Sequence, residues 1–284
     1  MSRTVYVNGA YLAEEAAKIS IFDRGFLMAD AVYEVTAVME GRLCDYEGHR
    51  ARLHRSLSEL KMRSPVEDDA LLEIHRELVR RNALDEGLVY LQVTRGAADR
   101  DFAWPADAEP GLVLFTQTKA LEDSAPVQTG IRVVSVPDLR WGRRDIKTTQ
   151  LLYPSFAKMM AKEQGADDAW MVQDGFVTEG SSNNAHIVTK DGAIVTRPLS
   201  QDILHGITRE SVLELAREAQ MTVEERPFTV AEAQAAAEAF ITAASTFVMP
   251  VVEIDAVPIG AGRPGPIAQR LREIYVARAK ARSI

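Results

Sequence analysis

The hexapeptide Arg144-Asp145-Ile146-Lys147-Thr148-Thr149 says more about this chain than any other segment. Apolar stretches precede and follow it, so the aliphatic stem of Lys147 is expected to lie in a partly buried cleft. Burial disfavours a charged ammonium group, and a neutral lysine amine is a nucleophile. A salt bridge between Lys147 and Asp145 is the alternative interpretation.

A second informative segment is Thr178-Glu179-Gly180-Ser181-Ser182-Asn183-Asn184, which predicts a turn between two apolar strands. A carboxylate in such a turn often accepts hydrogen bonds from backbone N–H groups. It can instead hold the nitrogen of a bound pyridine ring protonated. Glu179 and Lys147 would then supply the two protein groups that pyridoxal phosphate requires, a carboxylate and an amine.

Composition limits the classes of function. The chain has 284 residues, of which 46% are hydrophobic, and a formal net charge of -8. This length allows one large domain or two of ordinary size. The acidic balance argues against a general affinity for nucleic acid phosphates or anionic membrane surfaces, so small-molecule chemistry is favoured.

The cysteine and histidine content bears on metals and location. Cys44 is the only cysteine, so neither an intramolecular disulfide nor a Cys-based zinc site can form. The five histidines show no metal-ligand spacing, and we expect no metal. The N-terminus does not resemble an export signal, and no apolar run reaches the ~18 residues that span a bilayer. We expect a cytoplasmic protein.

The first part of the chain predicts strands, two helices and one long loop. The strands are expected at 4–7, 32–39, 42–44, 88–93 and 112–115, and the helices at 47–60 and 68–81. The polar loop 95–110 exceeds the length of a simple turn and is a candidate for substrate contact. A polar stretch at 119–130 suggests a boundary, which gives domains at 1–120 and 121–284.

The second part predicts a mixture of strands and helices without regular βαβ alternation, which indicates α+β layers. The strands are expected at 131–136, 169–172, 185–189, 223–225 and 241–242, and the helices at 153–164, 208–219, 230–240 and 264–282.

Two segments can bind an anion. Gly206-Ile207-Thr208-Arg209 opens a predicted helix, where free N–H groups and the positive end of the helix dipole attract phosphate. An ordinary helix cap is the alternative. Arg52 can offer a fork-shaped donor to the same phosphate, although a solvated basic helix face is the competing interpretation.

These segments, in this order, resemble the fold type IV pyridoxal-phosphate enzymes, the class IV aminotransferases. The resemblance covers nearly the whole chain. It rests on Asp23-Arg24-Gly25 with Asp30-Ala31-Val32-Tyr33-Glu34, His49-Arg50-Ala51-Arg52-Leu53, Asp145-Ile146-Lys147, Thr178-Glu179-Gly180-Ser181-Ser182-Asn183 and Gly206-Ile207-Thr208-Arg209. It implies a two-domain α+β fold, in which a smaller N-terminal α/β domain precedes a larger C-terminal domain with a mixed, barrel-like sheet that carries Lys147.

The resemblance also implies roles for individual residues. Lys147 would carry pyridoxal 5'-phosphate as a Schiff base, and Glu179 would pair with its ring nitrogen. The other expected cofactor contacts are the phosphate-binding groups and one residue that packs against the ring: Arg52, Ile207, Thr208 and Leu204. The resembled enzymes are homodimers, and Arg100 is expected to act in the neighbour's site. Asp23 and Arg24 are expected in a structural turn.

Within this family, the loop 92–105 resembles that of D-amino acid aminotransferases. Tyr33 and Arg100 match two members of their trap for the substrate carboxylate, and Phe102 stands in place of a histidine. An arginine can hold a carboxylate through two parallel hydrogen bonds without that histidine. A loop salt bridge from Arg100 to Asp99 or Asp101 is the alternative. The implied reaction is ping-pong transamination between a D-amino acid, such as D-alanine, and 2-oxoglutarate or pyruvate.

Three other functions remain open from the sequence. A branched-chain L-aminotransferase would bind the carboxylate through backbone amides near Ala244 and Ser245 and leave Arg100 unused. An aminodeoxychorismate lyase would release pyruvate without an amino acceptor. A non-enzymatic cofactor-binding protein would turn over no amine. Alanines at 243 and 244 replace hydroxyl residues that relatives place near the phosphate, so the phosphate contacts there stay undefined.

Overall fold

The computed structural model describes residues 2–284. Their contacts form two compact units. The first consists of the described residues up to Ala120, Ile146–Gln150 and Arg282–Ile284. The second consists of Leu121–Asp145 and Leu151–Ala281. The division into domains at 1–120 and 121–284 stays a proposal.

The first unit is built on a sheet whose strands are β1 (Thr4–Val7), β2 (Ala10–Ala13), β3 (Ala31–Met39), β4 (Arg42–Leu43), β5 (Gly87–Thr94) and β6 (Gly111–Thr118). All six pair antiparallel, in the order β2-β1-β6-β5-β3-β4. The helices are α1 (Arg24–Met28), α2 (Tyr46–Glu59) and α3 (Asp68–Arg81). Leu71, Ile74 and Leu78 are buried at helical spacing, which explains why α3 has the predicted bounds.

The segment that contains Lys147 lies beside β3. The Tyr33 amide donates to the Lys147 carbonyl at 3.0 Å, and the Thr149 amide donates to the Ala31 carbonyl at 3.1 Å. An isolated antiparallel bridge joins Val32 to Thr148. These bonds group Lys147 with the first unit and not with the C-terminal part of the chain, where the sequence had placed it.

The second unit contains a mixed, nine-stranded sheet. Its strands are β7 (Ile131–Pro137), β8 (Asp168–Gln173), β9 (Phe176–Gly180), β10 (Asn184–Val188), β11 (Ile194–Thr196), β12 (Val223–Glu225), β13 (Glu238–Ala243), β14 (Phe247–Ile254) and β15 (Val257–Pro258). Eight strands run in the order β12-β11-β10-β13-β14-β7-β8-β9, and β15 pairs with β14. Parallel pairs occur at β7–β8, β7–β14 and β11–β12.

Five helices belong to the same unit: α4 (Ala125–Thr129), α5 (Leu152–Glu163), α6 (Ile207–Glu218), α7 (Val230–Gln234) and α8 (Pro266–Arg282). The core is packed around Trp170, whose ring meets that of Phe228 edge-on at 6.0 Å. Every residue of β10 is buried, as expected for a strand covered on both faces. The predicted α+β class is confirmed. No helix of residues 2–284 is long and apolar enough to cross a membrane.

One predicted element is wrong and several were missed. The alanine-rich segment 230–240 was predicted as one helix, but α7 ends at Gln234 and β13 begins at Glu238. Alanine favours a helix, yet pairing of Ala239 with Ile187 and Val251 inside the sheet overrides that preference. The elements that were not predicted are β2, β9, β11, β14, β15, α1 and α4. Asp23 caps α1, because its carboxylate accepts the Gly25 amide at 2.8 Å.

Candidate active site

Lys147 lies next to an aromatic wall in the first unit. Its Nζ is 4.1 Å from the centroid of the Tyr33 ring, which projects from β3. That ring stacks on Tyr90, and Tyr90 stacks on Phe115 at 4.7 Å. The Lys147 amide also donates to the Ser56 hydroxyl at 3.4 Å, a long bond. The wall fixes the position of Tyr33 and gives the half-buried lysine side chain an apolar boundary on one side.

Arg52 is buried and held by an acidic partner. Its Nε and Nη2 donate to the two Glu34 carboxylate oxygens at 2.8 and 2.7 Å, and His49 Nδ1 lies 2.8 Å from the same carboxylate. Burial alone would raise the pKa of Glu34, but the Arg52 charge and these hydrogen bonds outweigh it and lower the pKa to about 2. Glu34 is therefore ionised and orients Arg52. The competing interpretation of Arg52 as part of a solvated basic face does not hold.

The remaining residues predicted for the carboxylate trap are exposed. Arg100 and Phe102 lie in the loop between β5 and β6, and the Arg100 guanidinium is 5.5 Å from the Phe102 ring. Phe102 is 79% exposed. In the described part of the chain Arg100 makes no ion pair with Asp99 or Asp101. Its guanidinium is thus available to a ligand or to another subunit.

Glu179 belongs to β9 in the second unit, not to a turn as predicted; the turn begins after Gly180. A Cβ at position 180 would lie 2.1 Å from Asn183 Oδ1, so a larger residue there would displace the Asn183 side chain. The Glu179 carboxylate is buried and accepts hydrogen bonds from Arg140 Nη1 at 2.6 Å, Asn184 Nδ2 at 2.9 Å and the Leu204 amide at 3.1 Å.

Arg140 balances the charge of Glu179. The Asp138 carboxylate accepts hydrogen bonds from Arg140 Nε at 3.0 Å and from Arg140 Nη2 at 2.7 Å. The Thr178 hydroxyl also donates to Asp138, at 2.7 Å. Burial raises the pKa of Glu179, and the nearby Arg140 guanidinium opposes that rise. A buried carboxylate in this setting can interact strongly with one further cationic N–H group.

The start of α6 is suited to an anion. Gly206 precedes the helix, and no side chain caps the amides that follow it. Thr208 is buried, whereas Leu204 and Ile207 are half-buried. Asn184 ties this region to Glu179, since its Nδ2 also donates to the Leu204 carbonyl at 3.0 Å.

One further hydroxyl is a possible anion ligand. Thr246 Oγ1, in the turn between β13 and β14, is buried without a hydrogen-bond partner among residues 2–284. A buried hydroxyl without a partner is costly, and an oxyanion that accepts its hydrogen bond removes that cost. Metals have no comparable site: residues 2–284 contain no group of three His, Cys, Asp or Glu side chains able to hold an ion.

The sequence did not assign roles to three of these residues, Glu34, Arg140 and Asn184. Glu34 and Arg140 pair with residues 18 and 39 positions away, whereas Asn184 bonds to Glu179, five positions away, and to the Leu204 carbonyl, 20 positions away. The only local signal for such a pair is a charged residue within a strand pattern, such as Glu34 in β3. A buried carboxylate needs a partner, but the pattern does not identify that partner.

Comparisons with known proteins identify the family. The family model described as Amino-transferase class IV matches residues 31–254. A D-alanine aminotransferase of Staphylococcus aureus (strain MSSA476) is 35% identical over 270 residues, which are 95% of this chain and 95% of the relative. A D-alanine aminotransferase of Bacillus licheniformis is 37% identical over 268 residues, 94% of each chain.

Solved structures share the fold. The T.th. branched-chain amino acid aminotransferase, in a structure with pyridoxamine 5'-phosphate, has a TM-score of 0.90 and 28% identity over 99% of this chain and 95% of its own. The branched-chain enzyme of Escherichia coli has a TM-score of 0.91 at 21% identity, over 98% and 95% of the two chains. With a family model over most of its length and relatives that match nearly all of it, the chain belongs to the class IV aminotransferases.

Proposed function

We propose that this protein transfers an amino group between a D-amino acid, such as D-alanine, and a 2-oxo acid, such as 2-oxoglutarate or pyruvate, in a ping-pong reaction that uses pyridoxal 5'-phosphate. The likeness to D-alanine aminotransferases over about 95% of the chain supports this substrate class. The observation that carries the cofactor assignment is the buried Glu179 carboxylate, which is oriented by three donors.

The residues present fit the cofactor. A buried carboxylate suits a protonated ring nitrogen, and an uncapped helix start suits a phosphate dianion. We assign the ring nitrogen to Glu179, ring packing to Leu204, and phosphate binding to the following groups: the Ile207 and Thr208 amides, the Thr246 hydroxyl and Arg52. When bound, pyridoxal phosphate supplies an electron-withdrawing ring for the carbanion that forms at the substrate Cα.

Lys147 is assigned two roles. Its amine would hold the cofactor covalently through the cofactor aldehyde, and the same amine would accept the proton from the substrate Cα. Lys147 is half-buried, and its Nζ lies 4.1 Å from the centroid of the Tyr33 ring. Tyr33, whose ring lies against Nζ, and Arg100 are assigned to the substrate carboxylate, with Phe102 beside Arg100.

We further propose that the protein is a cytoplasmic homodimer and that Arg100 serves the partner's site. An apolar stripe supports a protein partner: Leu152, Phe156 and Met159 recur at helical spacing on α5 and are 86%, 60% and 56% exposed. Contiguous apolar surface of this kind marks protein interfaces. The available guanidinium of Arg100 is consistent with use by another subunit.

The test is the half-reaction with each of a panel of D- and L-amino acids, monitored through the absorbance of the cofactor. D-alanine should bleach the band of the covalently bound cofactor, and the L-enantiomer should do so far more slowly. No bleaching with any amine would indicate a non-enzymatic cofactor-binding protein. Pyruvate release from aminodeoxychorismate without an acceptor would indicate the lyase.

The branched-chain L-aminotransferase is the second candidate, because the structural neighbours at 28% identity have that activity in their names. An Arg100→Ala variant separates the two. For the D-enzyme, loss of the paired hydrogen bonds to the carboxylate should reduce kcat/KM for D-alanine at least about tenfold, while cofactor absorbance stays unchanged. Unchanged kcat/KM would remove Arg100 from the site.

A further inference from the structure

We propose that Arg24, Asp30 and Arg95 form a clamp that fixes the conformation of the 95–110 loop and so positions Arg100 for the substrate carboxylate. The part that concerns the substrate rests on the proposed function. The part that concerns the loop does not, because it depends only on contacts within the first unit.

The clamp is centred on one carboxylate oxygen. Asp30 Oδ2 accepts from Arg24 Nε at 2.7 Å and from Arg95 Nε at 2.8 Å. Both arginines are buried, and the Asp30 side chain is 11% exposed. Backbone bonds fix the same three residues: the Arg95 amide donates to the Asp30 carbonyl at 3.1 Å, and the Arg24 amide donates to the Gly96 carbonyl at 2.9 Å.

Both arginines reach from Asp30 into the loop. Arg24 Nη1 donates to the Asp101 carbonyl at 2.6 Å and lies 3.4 Å from the Ala103 carbonyl. The Arg95 guanidinium stacks over the Trp104 ring at 4.2 Å. Two buried guanidinium groups share one carboxylate here, which is costly unless their other donors are used. The loop carbonyls accept from Arg24, and the Leu60 carbonyl, outside the loop, accepts from Arg95 Nη2 at 3.0 Å.

The loop contains no helix or strand, and Phe102 and Trp104 are 79% and 50% exposed. Near its start, Ala97 forms an isolated β-bridge with Asp23, and the Ala98 amide donates to the Phe22 carbonyl at 3.2 Å. Its ends are held together: Gly96 has a φ of +102°, and a Cβ there would lie 2.0 Å from the Glu109 carbonyl oxygen. Between these ends, a loop of this length without internal structure is expected to be mobile. The clamp contacts lie in that middle part.

The position of these contacts links the clamp to the substrate. Arg24 contacts the Asp101 and Ala103 carbonyls, which lie on either side of Phe102 in the chain. Arg100 immediately precedes Asp101. An arginine holds a carboxylate through two parallel hydrogen bonds, which tolerate little displacement. Arg24, Asp30 and Arg95 are therefore positioning residues, which act through the loop and do not touch the substrate.

The test uses the cofactor-loaded enzyme and three variants. Arg24→Lys keeps the charge next to Asp30 but removes the planar fork that reaches the loop carbonyls. Trp104→Ala removes the exposed stacking partner of Arg95 and leaves the buried cluster intact. Arg3→Met is the matched control, because Arg3 also joins a carboxylate, Glu14, to a backbone carbonyl, that of Thr116 at the far end of β6.

Hydrogen–deuterium exchange of the 96–110 peptide is measured together with kcat, KM for D-alanine and the cofactor spectrum. In Arg24→Lys we expect faster exchange in that peptide and a KM raised about tenfold, with kcat and spectrum little changed. Trp104→Ala should show the same pattern more weakly. Arg3→Met should leave the 96–110 peptide and KM unchanged.

Unchanged exchange in both Arg24→Lys and Trp104→Ala would overturn the clamp. Faster exchange with an unchanged KM would overturn its link to the substrate. If the wild-type enzyme turned over no D-amino acid, the proposed function would fail, while the exchange data would still decide whether the clamp orders the loop. If Arg24→Lys did not fold, the exchange of Trp104→Ala would decide it.

Discussion

Lys147 is the side chain on which the proposed chemistry depends. Borohydride reduction of the cofactor-loaded enzyme should attach the cofactor to Lys147 Nζ, and peptide mass mapping should locate it there. A Lys147→Ala variant should lose at least about 10³-fold in kcat, because both the covalent attachment and the proton transfer are removed. Lys18→Ala, at an exposed lysine of the same unit, is the control and should keep full activity. An adduct on another lysine would refute the assignment.

The buried Glu34 carboxylate is expected to make the stability of the protein depend on pH. Its pKa falls from 4.5 in the unfolded chain to about 2 in the folded one. The resulting stabilisation is present above pH 4.5 and is lost as the pH falls toward 2, and it amounts to about 3 kcal/mol. Glu34→Gln should therefore lower the free energy of unfolding above about pH 4.5 and flatten its rise between about pH 2 and pH 4.5.

Urea unfolding at several pH values measures this slope. The matched control is Glu77→Gln, since the pKa of Glu77 is also lowered to about 2 by hydrogen bonds from Arg80 and Arg81, but its side chain lies at the surface. Solvent screens such a pair, so the control should change little. A wild-type slope in Glu34→Gln would show that the buried group adds no stability.

The close contact between Gly206, before α6, and Asn184 is expected to affect cofactor binding. A Cβ at position 206 would lie 2.0 Å from Asn184 Oδ1. Gly206→Ala should therefore displace the Asn184 side chain and weaken its bonds to Glu179 and to the Leu204 carbonyl. We expect the Kd for pyridoxal phosphate to rise about tenfold, a loss of roughly 1.4 kcal/mol.

Equilibrium titration followed by absorbance measures that constant. Gly142→Ala is the control, because a Cβ there would meet no atom within 4 Å. Equal affinities of the two variants would show that the Asn184 link does not support the cofactor site.

The spacing of apolar residues along the sequence predicts those helices and strands in which that spacing is regular. The bounds of α3 and β12 agree with those predicted from the sequence, and in α3 the buried apolar residues recur at helical spacing. β14 contains Pro250, which argues against a strand inside a sheet, and its pairing with β13 and β7 reveals it. β9 was interpreted as part of a turn because Glu179 and the glycine that follows it are polar signals within a buried strand.

The residues of the candidate site also fall into those that the sequence predicts and those that it does not. Lys147, Glu179 and the start of α6 can be predicted because short motifs carry them. Their partners cannot, since the Glu34–Arg52 and Arg140–Glu179 pairs join residues far apart in the chain and no local pattern records such a pairing. Burial of the charges, which makes these pairs necessary, becomes visible only in three dimensions.

Assembly gives a prediction for the protein as a whole. Phe156→Glu places a charge in the apolar stripe on α5 and should shift the mass measured by light scattering from dimer toward monomer. If Arg100 serves the partner, turnover of D-alanine should fall together with the dimer fraction. Leu199→Glu, at another exposed apolar residue of the second unit, is the control. A monomeric, fully active wild-type enzyme would exclude the proposed homodimer.

The route of the chain has a consequence for biosynthesis. β3 is completed by the 146–150 segment, and the Leu43 amide and carbonyl in β4 bond to Ile284 at 2.9 and 3.0 Å. A ribosome releases the N-terminal strands long before residue 284. The first unit therefore cannot reach its final set of hydrogen bonds before residue 284 has been synthesised, and a gene fragment that stops at codon 120 would encode a sheet without two of its partners.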